Sequence, residues 1–288
     1  MVIRKSTYDF SHPYDIGDLP GENVPMSPSG FGDADESNLN LAEPLPKIPL
    51  WRYTSVGKLR NVIAPQPASR GELFFYRAQK FMESDKYEGT IPNPALESAK
   101  NLFEGFHDPD NSSTEKWMKT HSQVAERMRR ITYINCWRYG HRESDLMWEK
   151  FTSSDSGVVI KTNVRDFIES FEHWPGCLYI GETRYLHRKF DSVIFNRMTP
   201  FFIKRGEYRG EQELRAVITL SNEPPVKQLK PRVYPEPIED DLACAEVNID
   251  KLISKIIIHP DNRLLENVVE DMLQVANLDI SVEKSSLK

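Results

Sequence analysis

The sequence predicts an α+β fold: one irregular domain with a mixed sheet flanked by helices, behind a disordered N-terminal tail. Three observations carry this. Short aromatic and β-branched runs such as Leu73–Tyr76 and Val158–Ile160 interleave with stretches of helical spacing. Strands and helices follow no regular alternation, and no Gly-rich phosphate turn follows a strand, which argues against dinucleotide-binding and P-loop architectures. The composition also changes near residue 47, dividing the chain into a tail over 1–47 and a domain over 48–288.

The tail is rich in Pro, Gly, Ser, Asp and Asn, and lacks the apolar surface to offset its ordering entropy. A short docking piece is expected around Tyr8–Phe10. The domain opens on a strand at Pro49–Tyr53, and Ser55 suits the N-cap of a helix carrying Leu59, Val62 and Ile63. Leu73–Tyr76 reads as a buried strand. Asn93-Pro94 is a helix start, placing Leu96, Ala99 and Phe103 on one face. Ser112 and Glu115 make a capping box for a helix with Trp117, His121, Val124 and Met128 at helical spacing. A strand is expected over Ile131–Trp137, then a helix over Asp145–Phe151 capped by Ser144. A buried strand follows at Val158–Ile160. Asn163 and Asp166 start a helix with Phe167, Ile168 and Phe171 inward. Pro224–Pro237 reads as a surface loop. Lys255–His259 is a strand, and Leu264, Val268, Met272 and Val275 define the apolar face of the last helix.

The 288 residues are 39% hydrophobic and 28% charged, with a net charge of -6. An acidic balance argues against broad nucleic-acid binding. No apolar run resembles a signal peptide or reaches the about 18 residues of a membrane span, so a cytoplasmic, membrane-free protein is expected. Cys136, Cys177 and Cys244 are odd in number and widely spaced, with no CxxC, which predicts reduced thiols and no metal site.

Chemistry concentrates between Trp137 and Arg215. Trp-Arg-Tyr occurs at 51–53 and again at 137–139. Strand alternation sets Arg52 and Arg138 opposite their aromatic neighbours, where an Arg held on a rigid strand suits phosphate or carboxylate; the alternative is a structural ion pair. Over Gly210–Ile218, read as a strand, Leu214, Ala216, Ile218 and Leu220 face the core. Glu211, Glu213 and Arg215 face the other way, beside Lys204 and Arg205. That face is either solvated or a site in which Glu213 acts as base or electrostatic stabiliser, oriented by Arg215. Glu143, Ser144, Asp145 and Trp148 form a further polar and aromatic cluster that capping alone would explain. A thiol nucleophile at Cys136 beside His141 is weaker than the reading of a small buried hydrophobe. His141-Arg142-Glu143 lacks the P-C-x-x-C partner of zinc deaminases.

These segments together resemble an uncharacterised, mainly bacterial domain-of-unknown-function family. The likeness rests on Leu50-Trp51-Arg52-Tyr53, Leu73-Phe74-Phe75, Cys136-Trp137, Glu143-Ser144-Asp145-Leu146-Met147-Trp148 and Gly157–Ile160. It extends to the Lys-Arg-x-x-Tyr-x-x-Glu-x-Glu-x-Arg run of Lys204–Arg215 and to Leu252–Pro260. The family's Asp-Pro-Phe-Glu-like turn is matched only in part by Asp85-Lys86-Tyr87-Glu88-Gly89. The resemblance implies the fold group and one constellation of Trp137, Glu143, Trp148, Glu213 and Arg215.

Three functions follow. The order Arg52, Thr152-Ser153, Glu211-Gln212-Glu213 is similar to that of ADP-ribosyltransferases. On that likeness Arg52 holds the pyrophosphate of NAD, Tyr53 or Trp137 stacks on the nicotinamide, Ser153 contributes from the middle strand, and Glu213 stabilises an oxocarbenium-like sugar. The second is a non-catalytic module binding a small nucleotide or other phosphate-bearing ligand through Arg52, Arg138 and Arg215. The third is metal-dependent phosphodiester cleavage by Glu143, Glu211 and Glu213.

Overall fold

The computed structural model describes residues 5–7, 47–63, 70–90, 112–172, 174, 178–186, 198–219, 242–262 and 264–287. Its strands are β1 (Lys5–Thr7), β2 (Pro49–Ser55), β3 (Arg70–Arg77), β4 (Thr132–Tyr139), β5 (Gly157–Asn163), β6 (Leu178–Glu182), β7 (Arg184–Leu186), β8 (Ile203–Arg205), β9 (Glu213–Thr219), β10 (Leu242–Asn248), β11 (Lys255–Ile258) and β12 (Ser281–Lys284). The helices are α1 (Val56–Val62), α2 (Ser112–Ile131), α3 (Asp145–Phe151), α4 (Val164–Glu169), α5 (Ile249–Leu252) and α6 (Leu265–Val275). The architecture is α+β, as expected.

One mixed sheet runs β1-β6-β9-β4-β2-β5-β11-β12. The β1/β6 and β11/β12 pairs are parallel; the other pairs of this sheet are antiparallel. A small parallel ladder joins β7 to β8. The sheet forks at β4. With β9 along one edge of β4, the other edge is shared: β3 pairs Tyr133 and Ile134, whereas β2 pairs Arg138 and Tyr139. Beyond the fork β3 pairs with β10, and β2 with β5.

Alternation along the strands builds two faces. Leu50, Tyr133, Trp137, Leu214, Ala216 and Ile218 face the larger core, with Phe167, Ile168 and Phe171 of the α4 segment. On the opposite face, Ile134 and Val217 pack with Met128, Ile131, Phe201 and Phe202, while Trp51, Tyr53, Met147, Trp148, Val159 and Ile257 form a separate cluster. Among the described residues, no helix is long and apolar enough to cross a membrane.

Local expectations meet mixed outcomes. Ser55 and Asn163 cap their helices, accepting from Lys58 N and Asp166 N. Ser144 occupies the cap position of α3 but makes no side-chain cap bond; its backbone N–H donates to Tyr53 Oη at 2.9 Å instead. The α6 face is rotated by one residue from that expected. Leu265, Val269 and Leu273 are buried, whereas Leu264, Val268 and Val275 are exposed. The stretch read as a strand from Gly210 begins only at Glu213, because Gly206–Glu211 is a 3-10 turn. Strands β6, β10 and β12 carry no distinctive pattern and were not anticipated. The tail, apart from Lys5–Thr7 and Lys47, lies outside the described residues, as do the helix at Asn93, the side chains of the Ser112–Glu115 capping box, Cys177 and the Pro224–Pro237 loop.

Candidate functional site

The site is built where the 3-10 turn Gly206–Glu211 enters β9. Glu213, Arg215 and Val217 project from the same face of β9, opposite Arg138, Cys136 and Ile134 of β4. Gln212, between turn and strand, has φ 45°, in the left-handed region, which costs a non-glycine residue roughly 1–2 kcal/mol. Its contacts hold it there: Gln212 O accepts from Tyr139 N at 2.9 Å and Gln212 Oε1 from Arg138 Nη2 at 2.8 Å. Arg138 also donates to Arg142 O at 2.6 Å. The reversal at Gln212 brings the carboxyls of Glu211 and Glu213 together.

Lys204 Nζ, from β8, bridges them at 2.6 Å from Glu211 Oε2 and 3.2 Å from Glu213 Oε1. Lys150 of α3 closes on the other oxygen of Glu211. Arg215 donates through Nε to Glu213 Oε2 at 2.8 Å, and through Nη1 to Glu88 and to Phe201 O at 2.9 Å. Tyr185 Oη accepts from Glu213 N at 2.8 Å. These groups are buried: exposure is 2% for Glu211, 5% for Glu213, 3% for Glu88 and 0% for Arg215. A solvated charged face, the alternative reading of Glu211–Arg215, is thereby replaced by a desolvated network, the kind of arrangement that functional sites and structural ion-pair clusters share.

The two glutamates titrate in opposite directions. Burial raises Glu211, and a hydrogen bond shared with Glu213 raises it further, against the pull of Lys204 and Lys150. Burial also pushes Glu213 up, but Arg215 and Lys204 outweigh it and hold Glu213 below the ordinary carboxylate range.

Above this pair stands Tyr208. Lys204 Nζ, Lys150 Nζ and Arg205 Cζ lie 4.6, 5.0 and 5.2 Å from its ring centre. Arg205 pairs with Asp85 at 3.1 Å and approaches the Tyr87 ring at 5.4 Å; Lys150 lies 5.4 Å from the Phe151 ring. Tyr87 and Phe151 are exposed, so half-buried Tyr208 sits within an aromatic and cationic rim.

The other expected site residues lie elsewhere. Arg52 is on the larger-core face, because Trp51, not Arg52, pairs with Arg138; the antiparallel register sends the two arginines to opposite faces. Arg52 and Glu213 therefore do not share a site. Trp137, 1% exposed, packs against Phe167 with Nε1 on Asn135 Oδ1 at 2.6 Å, so it is core. Glu143 has partners other than those of Glu211 and Glu213. It accepts from Trp148 Nε1 at 3.2 Å, from Ser285 Oγ, and from Ser286 N and Oγ at 2.9 Å each, clamping the segment after β12 over the Tyr53–Trp148 cluster. Burial raises the Tyr53 phenol to about 12. Ser153 sits in the turn before β5, with Oγ 3.0 Å from Ser156 Oγ. Cys136 is a free thiol that burial pushes up to about 12, a poor nucleophile.

The expected metal set of Glu143, Glu211 and Glu213 does not assemble, since Glu143 holds the C-terminal segment and the other two hold cations. Among the described residues no group of His, Cys, Asp and Glu could hold a metal ion. Glu88, Lys150 and Tyr208 join the cluster without having been singled out. Glu88 and Lys150 are remote in sequence, whereas Tyr208 lies inside the Lys-Arg-x-x-Tyr-x-x-Glu-x-Glu-x-Arg run and was legible there. No protein-family model, curated protein or solved structure matches this chain.

Proposed function

We propose that the chain binds a nucleotide or related phosphate-bearing small molecule at the Tyr208 end of the sheet. The observation that carries this is the convergence of Lys150, Lys204 and Arg205 on one aromatic ring, beside exposed Tyr87 and Phe151. Aromatic faces stack on bases, and clustered ammonium and guanidinium groups take phosphate. The raised Glu211 supports the reading further. Burial disfavours the Glu211 carboxylate that partners Lys150 and Lys204, so an incoming anion competes there with a weakened partner. All the defining residues of the late motif, Lys204, Arg205, Tyr208, Glu211, Glu213 and Arg215, belong to this cluster. We take that as support for grouping the chain with the domain-of-unknown-function family it resembles.

Thermal unfolding with ADP and with NAD, against sodium chloride at equal ionic strength, tests the reading. At a hundredfold excess over Kd a ligand adds about 2.7 kcal/mol, or roughly 5–10 °C in Tm for a domain of this size. Tyr208→Ala and Lys150→Met are expected to lose the response while staying folded. Glu211→Gln, which fixes the uncharged form, is expected to tighten binding at neutral pH. Absence of any nucleotide response sinks the reading.

A second reading adds chemistry at the same place. Glu213, held below the ordinary carboxylate range by Arg215 and Lys204 against the effect of burial, suits the stabilisation of a cationic sugar centre, as in NAD cleavage or ADP-ribosyl transfer. Arg205 or Lys150 then replaces Arg52 as pyrophosphate anchor. NAD turnover that survives Glu213→Gln with the fold intact would remove this second reading and leave the first.

A further inference from the structure

The cluster at Tyr208 continues to either side along the surface, where cations and aromatic rings alternate. Lys86 Nζ lies 5.2 Å from the centre of the Tyr87 ring. Arg205 Cζ lies 5.4 Å from that ring and 5.2 Å from the Tyr208 ring. Lys150 Nζ lies 5.0 Å from the Tyr208 ring and 5.4 Å from the Phe151 ring. Arg205 and Lys150 each approach two rings, so one row runs Lys86, Tyr87, Arg205, Tyr208, Lys150, Phe151.

Three separate stretches of chain supply this row. Lys86 and Tyr87 follow the 3-10 segment Ala78–Glu83, Arg205 and Tyr208 come from the end of β8 and the turn after it, and Lys150 and Phe151 end α3. Lys86, Tyr87, Lys150 and Phe151 are exposed, and Arg205 and Tyr208 are half-buried. Buried carboxylates hold the bridging cations from the core side: Asp85 pairs with Arg205 at 3.1 Å and Glu211 with Lys150. Arg205 Nη2 also donates to Tyr208 Oη at 3.0 Å. Exposed Glu207 pairs with Arg205 at 2.9 Å and is the partner that an incoming phosphate displaces.

A single nucleotide needs one ring. Three rings joined by cations have the make-up of a single-strand platform, since every base has a face to stack and the cations between rings take backbone phosphates. We propose that this row is a track for a short single-stranded nucleic acid, with bases stacked on Tyr87, Tyr208 and Phe151 and phosphates against Lys86, Arg205 and Lys150. The proposal rests on the nucleotide reading of the Tyr208 end and extends it from one unit to several. It accords with a net charge of -6, because attraction is confined to a few side chains and stacking supplies much of the affinity. Three neutralised phosphates, at about −0.7 each, give a slope of only about −2 for log affinity against log salt.

The full chain is titrated by fluorescence anisotropy with labelled oligothymidylate and oligouridylate of about eight nucleotides, within the site sizes of single-strand binders. A duplex of the same length and inorganic polyphosphate are the controls, and thermal unfolding with ADP is measured alongside. The single strands are expected to bind at least tenfold more tightly than either control. Tyr87→Ala and Phe151→Ala are each expected to weaken them about tenfold, the worth of one stacked base; whichever oligonucleotide binds better identifies the strand as DNA or RNA. A response to the oligonucleotides without one to ADP also supports the track, because several weak contacts then act together. Oligonucleotides bound no more tightly than ADP overturn the track and leave the single-nucleotide reading standing, whereas silence from both removes the two together. Polyphosphate or duplex bound as tightly as the single strands overturns the track, since neither offers open bases to the rings. So does full affinity in both Tyr87→Ala and Phe151→Ala.

Discussion

Arg215 shows how much one side chain can hold. It is fully buried, and its partners are one near and one far in sequence: Glu213 two positions away and Glu88 in the turn that follows β3 and its 3-10 segment. Arg215→Met would leave two buried carboxylates without their cation. Removing one member of a buried ion pair costs about 3–5 kcal/mol, so an unfolding free energy lowered by that amount is expected from urea titration at neutral pH. A loss under 1 kcal/mol would mean that water reaches the network. The Glu213–Arg215 pairing was legible because residues two apart share a strand face. The Glu88 partnership was not, since nothing local marks a contact across 127 positions.

At the scale of elements, the two caps make a controlled comparison. Asn163 accepts from Asp166 N at 3.1 Å, so Asn163→Ala is expected to cost about 1 kcal/mol. Ser144 stands at the equivalent position of α3 without a side-chain bond, so Ser144→Ala is expected to be near neutral; paired urea titrations check both. Sequence composition fits Ser144 as well as Asn163, and only the approach of Tyr53 to the Ser144 N–H explains the difference. A similar limit governs α6. Its apolar residues fit two overlapping stripes, and packing against the larger core buries Leu265, Val269 and Leu273 rather than Leu264 and Val268. Strands β2, β3, β4, β5 and β11 were legible because aromatic and β-branched runs mark doubly covered strands. The edge strand β12, Ser-Val-Glu-Lys, has one half-buried residue and no such mark.

At the scale of the whole molecule, the register of the forked sheet decides which expected residues meet. The repeated Trp-Arg-Tyr was readable as two strands, but whether Arg52 and Arg138 share a face depends on an offset that pairs Trp51 with Arg138. One face consequently carries two separate carboxylate systems, Glu211–Glu213 at the β9 end and Glu143 under the segment after β12, and their titrations contribute to the pH response of the fold. Burial raises Glu143, but the hydrogen bonds from Ser285, Ser286 and Trp148 hold it below its ordinary value. Glu213 is also held below. A carboxylate whose folded value is depressed contributes stability above its unfolded value, near about 4.3 for Glu, and that contribution is lost as pH falls through the folded value. Glu211 is raised, so its contribution is present at acid pH and is lost as pH rises through its folded value. Urea unfolding between about pH 3 and pH 8 is therefore expected to show a falling midpoint below the unfolded carboxylate value. Glu143→Gln should flatten part of that acid limb, because the substituted amide no longer titrates. Glu211→Gln should instead leave the acid limb in place and raise stability toward neutral pH relative to the parent chain. An acid limb unchanged by Glu143→Gln would show that the clamp on Ser285 and Ser286 contributes no net stability.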